Sequence, residues 1–136
     1  MEQLAALLKS LNIYAHNAHN LCKGSLFFAD HAFLADLYDQ ADGHYDDVVE
    51  RMIGSGQTPD LVKINALAVE ALKTYPQNPP ENKIYFQTIL TMEKDLGIMI
   101  EQLVKSPGMS EGTKQMIGNI ADVTEVNKYK LQQRIK

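Results

Sequence analysis

The strongest constraint on this chain is where it cannot be helical. All five prolines fall in three short stretches: Thr58-Pro59-Asp60, Thr74 to Pro80, and Ser106 to Ser110. Gly24 and the Gly-Ser-Gly at 54–56 add two more breaks. Proline lacks the N–H a helix interior needs, so these stretches punctuate the chain. Between them, apolar residues recur at three- and four-residue steps, the period of a helix with one buried face. From Met1 to Lys23 the stripe is Leu4, Leu7, Leu8, Leu11, Ala15, Ala18 and Cys22, with Gly24 placed as a C-cap. Ser25 is placed to cap a second helix reaching about Ile53. Thr58 and Pro59 read as the N-cap and first residue of a short helix. A third long helix is expected from Pro79 or Pro80 to about Lys105, and a last one from near Ser110. The sum is an all-α protein: a four-helix bundle with a short extra helix between the second and third long ones, in a single domain spanning 1–136.

Composition narrows the function classes. The 136 residues suffice for one self-supporting core. Thirteen basic against seventeen acidic residues give a net charge of −4, which offers no general attraction to nucleic acid. No apolar run approaches the ~20 residues of a membrane span. Met1 leads directly into helix, so neither a leader nor a basic N-terminal tail is expected. The single cysteine, Cys22, excludes an internal disulfide framework and suits a reducing, cytoplasmic setting.

The chemistry gathers on the second helix. Advancing 100° per residue from His31 places Phe33, Leu34, Leu37, Ala41, Tyr45, Val48 and Met52 on one arc, the core stripe. Asp39, Asp42, Asp46 and Glu50 share the opposite arc with His31. A run of helix carboxylates is ordinarily a solvated face. Here, however, Ala32, Ala35, Val49 and Ile53 lie among them, which suits a contact surface. Four carboxylates with no lysine between them also repel one another, a cost that a bound cation offsets. His31 and Asp46 stand fifteen residues apart, roughly 22 Å along one helix, and cannot hold one ion within a subunit. Two copies of the helix packed antiparallel across a two-fold axis would bring the histidine end of one to the carboxylate end of the other, twice per interface.

His19, Lys23-Gly24, Phe27, His31 and Asp46-x-x-x-Glu50-Arg51 together resemble the Dps family, the mini-ferritins named as DNA-binding proteins from starved cells. The resemblance covers nearly the whole chain, the short helix included, and leaves out only the family's N-terminal extension. It implies a ferritin-like bundle that assembles as a homo-oligomer, a hollow shell of usually about twelve subunits. It also implies ferroxidase sites at two-fold interfaces, where ferrous iron is oxidised, often by hydrogen peroxide, and then stored inside as ferric mineral. Carried over, the metal ligands are His19 and His31 of one subunit with Asp46 and Glu50 of its neighbour, a nitrogen and oxygen set suited to iron or zinc.

Two positions depart from the family pattern. Ala35 stands where an aspartate is expected one turn after His31, and Asn20 stands where a tryptophan is usual. His16, Asp36 and Asp39 are the residues near enough in sequence to supplement the set. The alternative to a ferroxidase is therefore a shell that binds zinc or iron without efficient turnover. Cys22 follows His16 and His19 at three-residue steps, as a soft zinc set would, but a small buried residue is the plainer reading; His44 lies near the core stripe. DNA binding is expected to be slight. The basic C-terminal stretch of Lys128, Lys130, Arg134 and Lys136 reads first as a solvated helix end, where cations favour the helix dipole.

Overall fold

The computed structural model describes residues 1–136 as five helices: α1 (Glu2–Leu21), α2 (Phe27–Gly54), α3 (Leu61–Leu72), α4 (Asn82–Val104) and α5 (Glu111–Ile135). Helix α1 packs along α2, and α4 along α5, so the bundle consists of two helical hairpins. They join chiefly through α1 against α4, with α3 laid over α1; α2 and α5 touch only sparsely. No helix is long and apolar enough to cross a membrane.

The core follows the expected stripes. Leu4, Leu8, Leu11 and Ala15 of α1 are buried, as are Leu34, Leu37, Ala41, Val48 and Met52 of α2, Ile89, Met92 and Leu96 of α4, and Ile117 and Ile120 of α5. Burying each large aliphatic side chain contributes roughly 1.5–3 kcal/mol, which is what holds helices of this length together. On α3, Ile64 and Ala68 face inward while Val62 and Val69 remain exposed.

Helix ends differ from expectation at four places. Helix α1 stops at Leu21, and Gly24 lies beyond it in the connecting turn at φ +91. Helix α2 begins after Leu26, with no side-chain cap, rather than after Ser25. Asp60, not Thr58, caps α3, its carboxylate accepting the Lys63 N–H at 3.0 Å; two residues beyond Thr58, it can satisfy a free amide of the first turn. Helix α4 begins at Asn82 rather than at Pro79 or Pro80, because Glu81, its N-cap, is still in extended backbone. Ser110 does cap α5, accepting the Thr113 N–H at 3.2 Å.

Candidate metal centre

The short turn between α1 and α2 folds the last turn of one helix against the first turn of the next, and this brings His19 and His31 face to face. Their rings stack with centroids 3.6 Å apart and planes at 19°. Each holds the other: His19 Nδ1 lies 2.8 Å from the His31 carbonyl oxygen, and His31 Nδ1 lies 2.9 Å from that of His19. A carbonyl oxygen only accepts, so both Nδ1 atoms must carry the proton. In the neutral ring, a proton on Nδ1 places the lone pair on Nε2. An imidazole whose Nδ1–H is spent on a carbonyl is in the state that binds a metal through its other nitrogen. Imidazole nitrogen is a donor that iron and zinc accept, but the chain alone brings no third ligand to this pair.

Aromatic rings wall the pair. Phe27, in the first turn of α2, stacks on His31 at 4.8 Å, and Tyr38 meets His19 edge-on at 5.3 Å. His16 is exposed and stacks flat on Tyr38 at 4.1 Å, so its ring is engaged with the tyrosine. Cys22 is buried behind the histidines. Its Sγ donates to the His19 carbonyl at 3.4 Å and lies 4.0 Å from His31 Nδ1. Burial, with the Asp30 charge adding to it, raises the Cys22 thiol above its ordinary value, so it stays protonated and is a poor ligand. The soft set of His16, His19 and Cys22 does not assemble.

The carboxylates stand elsewhere. Asp36, Asp39, Asp46 and Glu50 are exposed on α2, and no group of three or more His, Cys, Asp or Glu within the chain could hold a metal ion. Ala35 is half-buried one turn from His31 and offers no ligand atom. Arg51 reaches toward α5, its Nη1 near Gly112. His44 is half-buried on the core side; burial depresses its imidazolium against the opposing pull of Asp47.

A buried knot fixes the histidine end from behind. Asp30, adjacent to His31, is 2% exposed and receives both Nε and Nη2 of Arg134, at 2.8 and 2.9 Å. Asn82, at the start of α4, donates to Asp30 at 2.9 Å and to the Lys23 carbonyl at 2.6 Å, and accepts the Lys23 N–H at 3.0 Å. Burial alone would raise the Asp30 carboxyl, but the bonds from Arg134 and Asn82 and the Arg134 charge outweigh it and hold the group below its ordinary value. Both the turn between the histidines and the first turn of α2 are thus tied to α4 and α5. This corrects the reading of the C-terminal cations: Arg134 is not part of a solvated helix end but closes a buried ion pair, with Phe86 beneath its guanidinium at 4.9 Å. The sequence held one clue. Asp30 falls at about 260° on the wheel drawn from His31, inside the core stripe, where an acid needs a partner.

Comparison with known proteins gives a family and a fold. The family described as ferritin-like domain matches residues 1–135. A structure described as the Dps92 from Deinococcus radiodurans superposes with a TM-score of 0.77 at 21% sequence identity, over 97% of this chain and 81% of that one. At that identity the likeness is one of fold. No curated protein matches the sequence.

Proposed function

Because the chain belongs to the ferritin-like domain family, we propose that it is a Dps-like mini-ferritin. In this reading copies of the chain form a closed shell of about twelve subunits, bind ferrous iron where α2 helices meet across two-fold axes, oxidise it with hydrogen peroxide, and keep the ferric product inside. The observation that carries the reading is the reciprocal lock of His19 and His31, which occupies both Nδ1 atoms and leaves Nε2 as the nitrogen available to a metal. His19 and His31 of one subunit would meet Asp46 and Glu50 of the next. Each ferrous ion gives up one electron, and the two electrons that break the peroxide O–O bond come from two ions. Carboxylate oxygens neutralise the growing positive charge, and the imidazoles hold the ions without adding charge. The cell gains by losing ferrous iron and peroxide together. Cytoplasmic residence belongs to the same reading, from the single free thiol.

A second reading rests on Ala35. With no carboxylate one turn from His31, the site loses an anionic ligand, and a shell that binds zinc or iron with little turnover becomes the alternative. Anaerobic loading with ferrous iron, followed by peroxide and gel filtration, separates the two. Prompt oxidation with many ferric ions retained per shell supports the ferroxidase. Ions bound only at the level of the sites, with slow oxidation, support the binding shell. No retained metal removes both.

A further inference from the structure

Helix α4 buries a carboxylate with nothing to satisfy one of its oxygens. Glu93 shares the core stripe of Phe86, Ile89, Met92, Leu96 and Ile100 and is 2% exposed. Asn127 of α5 spends the two hydrogens of Nδ2 on both sides, one on Glu93 Oε1 at 3.0 Å and one on Gln40 Oε1 of α2 at 2.9 Å. Glu93 Oε2 has no partner. In the chain Gln40–Asn127–Glu93 the first bond crosses the seam between α2 and α5, where the two hairpins otherwise touch only sparsely, and the second ties α5 to α4. The Asp30–Arg134 pair is the other polar link across that seam. None of the five principal clefts is lined by Glu93.

An ionised Glu93 would leave charge on a buried oxygen without a donor, which is costly; the neutral acid avoids most of that cost. We propose that Glu93 is a proton-operated latch on Asn127, and through Asn127 on the Gln40 link across the α2/α5 seam, closed while its carboxyl is protonated and loosened when the proton leaves. The groups facing it are few. From α5 come neutral Asn127 and Thr124 and the cation of Lys128; neutral Gln40 of α2 reaches it only through Asn127. Burial pushes the carboxyl up to about 7, against the bond from Asn127, the nearby Thr124 hydroxyl and the charge of Lys128, so the latch switches near neutrality.

The sign follows from the raised value. A carboxyl that binds its proton more tightly when closed favours the closed state fully below its ordinary value. That advantage is lost about tenfold per pH unit until about pH 7, and nothing further changes above it. Between pH 5 and 8 the opening equilibrium of the seam should rise on the order of a hundredfold. Amide hydrogen exchange on the full chain, corrected for intrinsic rates, reads this directly. Protection over Thr124 to Leu131 should fall by that factor in the wild type and stay flat in Glu93→Gln, which keeps the shape and cannot ionise. Equal slopes in the two proteins overturn the latch, and so does a loss spread evenly over α1 and α3. If Glu93→Gln does not fold, carbon NMR of the Glu93 carboxyl in the wild type decides: a midpoint near 7 sustains the proposal and one near 4.5 ends it.

Discussion

Complementation between two inactive variants tests whether metal sits between subunits. His31→Ala removes one free Nε2 but keeps the main-chain carbonyl that holds the His19 ring. Asp46→Asn removes charge from an exposed position on α2. Neither residue belongs to the core cluster, so both variants should fold and assemble. Each alone should lose most peroxide-dependent iron oxidation, because every interface then has two damaged sites. In shells mixed at equal ratio, about half of the two-fold interfaces join unlike chains. In each of those, one site pairs the intact His31 of one chain with the intact Asp46 of the other, and the second site carries both defects. About a quarter of all sites are then whole, and the mixed shells should show about a quarter of wild-type activity above the parents. The readout is the initial rate of ferric formation after peroxide, on shells whose mixed composition has been verified by mass spectrometry. Activity equal to the mean of the two parents would refute the inter-subunit site, since separation by roughly 22 Å along α2 leaves no intra-subunit alternative with these ligands.

Three further outcomes are expected. Ala35→Asp should tighten ferrous binding about tenfold, the worth of one added charged ligand at ~1.4 kcal/mol, and speed oxidation; unchanged binding by calorimetry would mean that position 35 is not at the site. Breaking the Asp30–Arg134 pair by Asp30→Ala should cost about 3 kcal/mol, the low end for a buried pair because Arg134 keeps some exposure, and lower the melting temperature by about 10 °C. Since the Asp30 carboxyl is held below its ordinary value, this stabilisation is complete above about pH 4 and fades as pH falls through the lowered value, so variant and wild type should converge only in strong acid; a constant gap down to pH 2 in thermal melts counts against it. Duplex DNA should bind negligibly near physiological salt, because the chain is net acidic and Arg134 is occupied; a gel shift that survives that salt and disappears in Lys128→Gln/Lys130→Gln would show the helix end to be a phosphate surface.

The bundle was legible because its signal is repeated: each long helix carries several turns of the same apolar period, and errors at single positions average out. The ends were less legible because each is decided by one or two residues competing for the same free amides. Thr58 and Asp60 are both good caps, and only the geometry beyond Pro59 chooses between them. The candidate ligands were partly legible for a different reason. His19 and His31 stand at the last turn of one helix and the first turn of the next, so a short connection must bring them close. Their reciprocal lock was not legible, since it depends on main-chain carbonyls that every residue carries.

What the periodic reading passes over is the small set of polar residues lying on the apolar stripes. Asp30 on α2, Glu93 on α4 and Asn127 on α5 all occupy core positions, where apolar side chains would pack at less cost. All three belong to links joining the two hairpins across the thinly packed α2/α5 side: Asp30 is answered by Arg134 and Asn82, while Asn127 bridges Gln40 and Glu93. Apolar contacts are non-directional and would permit α5 to slide or rotate against α2, whereas donor and acceptor pairs at fixed positions are satisfied in one register only. The histidine pair depends on that register, because Asp30 precedes His31 and Asn82 grips the main chain at Lys23, on the turn between the two histidines. The sparse seam and the preformed imidazole pair are thus two consequences of one arrangement, in which buried polar links do the positioning that packing alone leaves loose.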